Sequence, residues 1–102
     1  MSQDKSDAQN SRQIPVELDP ETAQGMYINM AMVNHSENEF TLDFIYVQPG
    51  GAKAKVRSRM ISSAKHTKRL LLALQDSIRK FEMVHGEIDI SGPAMPPSKI
   101  LN

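Results

Sequence analysis

The chain has 102 residues, twelve Lys and Arg against twelve Asp and Glu, and no cysteine. That length leaves room for one domain, and the missing cysteine excludes disulfide staples, thiolate metal sites and cysteine nucleophiles. No run approaches the roughly 18 apolar residues of a membrane span, and Met1–Arg12 lacks the apolar stretch of a signal peptide, so a cytoplasmic protein is expected.

In chain order, residues 1–12 hold nothing that can build a core and read as a disordered N-terminal segment. Ile14, Val16 and Leu18 alternate with Pro15 and Glu17 as in a short strand, which Pro15 places at an edge or makes irregular. Asp19-Pro20-Glu21 is a helix-start signal, and Gly25 stands where a single turn would close. Met26–Val33 and Phe40–Val47 read as strands joined by the polar connector His35–Glu39. Gln48–Ala52, with Pro49, Gly50 and Gly51, is a turn that leads into a third strand over 53–61. Ser62 or Ser63 can cap a helix running to about His85, with Gly86 closing it. Leu71, Leu74, Ile78 and Phe81 recur at steps of three and four, an apolar stripe along one side of that helix. Pro93, Pro96 and Pro97 mark a flexible tail over 89–102.

The expected architecture is α+β: an antiparallel meander of three to four strands with one long C-terminal helix packed on one face. One β-β-β-β-α domain over 13–88 would lie between the two tails. A domain of this size buries only about 60–65% of its unfolded surface, which makes association with a second copy a reasonable expectation.

Matching apolar faces sets the expected register. A three-residue loop at Pro49–Gly51 would pair Phe44 with Val56 and Asp43 with Arg57. The even-numbered face would meet the helix. The other face would carry Tyr27, Asn29, Ala31 and Val33, then Thr41, Asp43, Ile45 and Val47, then the cations Lys53, Lys55, Arg57 and Arg59. An apolar patch edged by cations suits a self-association interface or a partner protein.

Charge is segregated along the chain. Residues 1–52 hold eight acids against Lys5 and Arg12, whereas 53–80 hold nine bases against Asp76. The basic stripe has three readings: a phosphate-binding surface, a self-complementary patch meeting the acidic Glu17–Glu39 half of another copy, or charge that keeps a strand edge soluble. Met26, Met30, Met32 and Met60 read as gap-filling in a small core rather than a promiscuous binding surface. His35, His66 and His85 stand at no metal-ligand spacing, so no metal or other cofactor is expected. Ser36, His35 and Asp43 could be arranged on paper as a nucleophile, base and orienter, but no elbow or glycine framework supports them, and an enzyme is not expected. Pro49-Gly50-Gly51 lacks the strand, helix and lysine of a phosphate loop.

One ordered series of residues carries a family resemblance. It runs through Gly25, Tyr27, Asn29, Ala31, His35-Ser36, Glu39-Phe40, Leu42-Asp43-Phe44 and Pro49-Gly50. It continues through Lys55-Val56-Arg57-Ser58-Arg59, His66, Lys68-Arg69-Leu70-Leu71, Ala73-Leu74, Phe81-Glu82 and Gly86-Glu87-Ile88. In these residues the chain resembles a family of small bacterial proteins of uncharacterised function. Ser62-Ser63-Ala64 departs from the family's pattern, which has an apolar residue and a proline at the helix start. The resemblance implies a bacterial, cytoplasmic protein with no catalytic residues to transfer, suited to be a small accessory to another bacterial protein such as RNA polymerase. In the order of its strands and helix the chain is also similar to the export chaperone SecB, an architectural likeness that carries no residue roles.

The expected function is therefore a non-catalytic, homo-oligomeric protein-interaction module, with a dimer favoured. Its expected face is Tyr27, Asn29, Ala31, Val33, Asp43, Ile45, Val47, Lys53, Lys55, Arg57 and Arg59. The alternatives are nucleic-acid binding through the strand Lys53–Arg59 and a SecB-like holdase.

Overall fold

A computed structural model describes residues 13–92. The expectations for residues 1–12 and for 93–102, the greater part of the proposed tail, lie outside the described residues. The described chain is α+β, with α1 (Pro20–Ala23), β1 (Met30–His35), β2 (Glu39–Val47), β3 (Ala54–Ser63) and α2 (Ala64–His85).

The N-terminal turn forms as its residues dictate. Asp19 sits in extended backbone and its carboxylate accepts the Thr22 N–H at 2.6 Å, while Pro20 occupies the first turn, where no N–H is needed. The N–H bond from Thr22, chiefly its backbone, holds the Asp19 carboxyl below its ordinary value of 3.8.

The segment 13–19 is not a strand. Ile14, Val16 and Leu18 are 80%, 90% and 67% exposed and pair with nothing in the sheet, so the expected fourth strand is absent among the described residues. Pro15, without an N–H, interrupts the ladder that such a short segment would need.

The sheet is an antiparallel meander in the order β1-β2-β3. Ser36 closes the first hairpin: its N–H donates to the Glu39 carbonyl at 2.9 Å, and its hydroxyl accepts from the Glu39 N–H at 3.3 Å. The second hairpin is wider than the three residues expected. The Gln48 N–H donates to the Lys53 carbonyl and the Gly51 N–H to the Gln48 carbonyl, both at 2.9 Å, with Gly50 and Gly51 at φ of 90° and 71°. β1 begins at Met30 rather than Met26. Ahead of it, the Asn29 side-chain amide takes the place of a backbone unit, donating to the Val47 carbonyl at 3.0 Å and accepting the Val47 N–H at 2.8 Å.

Two features reset the expected register. Ala31 pairs with Phe44 and Val33 with Leu42, so odd residues of β1 share a face with even residues of β2. On β3, Asp43 pairs with Arg59, Phe44 with Ser58 and Ile45 with Val56, leaving Arg57 as an extra residue in a β-bulge. The expected pairs of Asp43 with Arg57 and Phe44 with Val56 do not form.

The helix has the expected ends. The Ser63 hydroxyl accepts the His66 N–H at 3.2 Å, and Gly86, at φ 91°, leaves the helix while donating its N–H to the Glu82 carbonyl. Its place relative to the sheet differs from expectation. α2 touches β2 and β3 in only a few places and none of its residues is buried. Leu71, Leu74, Ile78 and Phe81 are 60%, 52%, 47% and 50% exposed. The helix follows β3 with no loop residue between them. The only buried apolar side chain among the described residues is Ile45.

Candidate interaction surface

Residues paired across an antiparallel ladder point to the same side, so the register assigns each side chain to a face. The Asp43 face holds Met30 and Met32 from β1, Asp43, Ile45 and Val47 from β2, and Ala54, Val56, Arg59 and Ile61 from β3. The Phe44 face holds Ala31 and Val33, then Phe40, Leu42, Phe44 and Tyr46, then Lys55, Ser58 and Met60. Arg57 joins this second face, since its guanidinium lies 5.0 Å over the Tyr46 ring.

The eleven residues expected to share one face are thus divided between two. Asp43, Ile45, Val47 and Arg59 lie on one side; Ala31, Val33, Lys55 and Arg57 lie on the other. Asn29 is spent on the ladder with Val47. Lys53 lines a concavity with Tyr46, Lys55 and Arg57, and Tyr27 stands edge-on to Tyr46 with ring centroids 6.2 Å apart.

Each half has its own chemistry. Asp43 has no exposed surface, and Arg59 closes on it with two bonds, Nε to Oδ1 at 2.6 Å and Nη2 to Oδ2 at 3.0 Å. The hydrogen bonds to Asp43, and then its charge, hold the Arg59 guanidinium above its ordinary value. Arg59 is therefore committed within the sheet. Lys53, Lys55 and Arg57 gather instead around Tyr46, a residue that strict alternation assigns to the core face. The signal that could have revealed it is the placement of Tyr46 one residue before the end of β2, where a third strand returns its cations. Beside this cluster, Met26, Ile28, Phe44 and Met60 line an apolar concavity of about 540 Å³ with Arg57 at its rim.

A third surface lies on α2. Its stripe Leu71, Leu74, Ile78 and Phe81 is open, while the opposite side carries an ion-pair set in which Asp76 accepts from Arg79 at 2.8 Å and meets Lys80 at 3.1 Å. Arg79, and then Lys80, hold the Asp76 carboxyl below its ordinary value of 3.8.

Among the described residues, no three His, Asp or Glu side chains converge as a metal site would need, and no helix is long and apolar enough to cross a membrane.

The family described as Protein of unknown function (DUF3467) matches residues 1–90. The chain belongs to that family. No curated protein and no solved structure matches it, so membership brings neither an activity nor a site to test against these surfaces.

Proposed function

We propose that this member of the family is a non-catalytic, homo-oligomeric interaction module whose folded unit is completed by a second copy. The observation that carries this reading is the open stripe of α2, four large apolar side chains in line and about half exposed, where the buried apolar core among the described residues is Ile45. A helix that is apolar along one side and ion-paired along the other is built to be covered. Full burial of a side chain of this size contributes about 1.5–3 kcal/mol, and these four, half exposed, have about half of that still to gain.

Light scattering coupled to gel filtration tests the reading. The expected mass is at least twice the 11.4 kDa of one chain. A clean monomer at micromolar concentration would overturn it. Base absorbance travelling with the protein peak would favour instead a phosphate-binding role for Lys53, Lys55 and Arg57 around Tyr46, where aromatic rings and cations lie together.

A further inference from the structure

We infer that the second copy is recognised through α2 itself, the two helices running antiparallel about a two-fold axis that crosses the seam between Leu74 and Ile78. The inference rests on the homo-oligomer reading and adds to it the surface, the direction and the residue pairs.

Ala64, Thr67, Leu71, Leu74, Ile78, Phe81 and His85 are separated by steps of three and four in strict alternation. The apolar members of this series, Leu71, Leu74, Ile78 and Phe81, span the middle of the helix at the spacing that a seam between two helices uses. The side opposite the seam is the one closed by Asp76 with Arg79 and Lys80. Ion pairing, and not exposure, separates the two sides, since Leu72 and Met83 on the ion-paired side are as open as the seam.

The flanks of the seam decide direction. On one flank stand Lys68, Gln75 and Glu82, and on the other Leu70, Ser77 and Val84, each set at seven-residue spacing. Lys68 and Glu82 are equidistant from Gln75. An antiparallel copy therefore sets Lys68 against the partner's Glu82, twice by symmetry, with Gln75 meeting its own counterpart. The other flank then sets Leu70 against the partner's Val84, with Ser77 beside its counterpart, which extends the apolar contact. Across the seam, Leu71 meets the partner's Phe81 and Leu74 meets the partner's Ile78.

A parallel copy has none of these matches. It would gather Lys65, Lys68 and Arg69 of both chains at one end, where no acid stands in the first turn and where the helix dipole already disfavours cations. The antiparallel copy brings that basic end to the acids Glu82 and Glu87 of its partner and opposes the two dipoles.

The full chain has no cysteine, so single cysteines report proximity without background. Oxidised Ser77→Cys is expected to form a covalent dimer. A mixture of Lys68→Cys and Glu82→Cys is expected to give chiefly the mixed 68–82 product. Lys68→Glu is expected to weaken the dimer about tenfold, and Lys68→Glu with Glu82→Lys to restore it. Covalent dimers of Lys68→Cys with itself would overturn the direction. Absence of the mixed product from a protein whose mass is that of a dimer would overturn the use of α2 while leaving the homo-oligomer standing. A monomeric mass for every variant and for the parent chain would overturn both.

Discussion

Asp43 is the residue on which the sheet is most exacting. Its carboxylate lies at the centre of β2 with no exposed surface, between Met32 on β1 and Arg59 on β3. A buried carboxylate whose cation is removed loses both the opposing charge and two hydrogen bonds, whereas removal of both partners leaves only a packing problem. Arg59→Met is therefore expected to lower the urea midpoint more than Asp43→Leu with Arg59→Met does. A double variant less stable than the Arg59→Met single would show that the pair is not a coupled unit. Sequence reasoning recognised that Asp43 faces a cation but assigned Arg57 to it. The difference is two residues, one from the wider turn and one from the bulge, and nothing in the alternation of Ala54, Val56, Ser58 and Met60 announces a bulge.

At the scale of elements, the ends were legible and the register was not. Ser63, Gly86, Asp19 and Pro20 act locally, through hydrogen bonds and backbone angles that each residue type favours wherever it stands. The phase of β1 against β2 depends on which face is more apolar, and here Met30 and Met32 compete with Ala31 and Val33 almost evenly. With apolar residues on both faces, alternation alone does not choose. The stripe of α2 was legible as a pattern, but what covers it was not, because periodicity gives a face and not a neighbour. Acid sensitivity is spread over three depressed carboxylates, Asp76 on α2, Asp19 at the start of α1 and Asp89 beside Ser91. Asp76 has a folded-state value depressed by Arg79 and Lys80, and Asp19 one depressed by Thr22. A depressed carboxylate contributes stability that is present above its unfolded value of 3.8 and is lost as pH falls through the lower folded value. The melting midpoint is thus expected to hold steady from neutral pH to about 5 and then to decline, with Asp76→Asn flattening part of that decline. An identical acid profile in Asp76→Asn would remove Asp76 from the account.

At the scale of the whole molecule, folding and association are expected to be one equilibrium. Net stabilities of domains are only about 5–15 kcal/mol, and four stripe side chains left half exposed forfeit about 3–6 kcal/mol of what full burial would give. A chain whose partner supplies that burial unfolds with a midpoint that depends on its own concentration. Tenfold more protein is expected to raise the midpoint by roughly 2–5 °C, read by circular dichroism. Leu74→Ala, on the open stripe, is expected to weaken this dependence. A midpoint independent of concentration over two orders of magnitude would mean that the single chain stands alone.

The bulge at Arg57 has a consequence for how the length of β3 can change. Removal of Arg57 would close the ladder into regular pairs, with Val56 still opposite Ile45 and Lys55 still opposite Tyr46. Removal of Val56, one position away, would instead bring the Arg57 guanidinium opposite the buried Ile45. Two deletions of equal size at adjacent codons would thus have opposite outcomes, and the strand can shorten at one place without turning its cations inward.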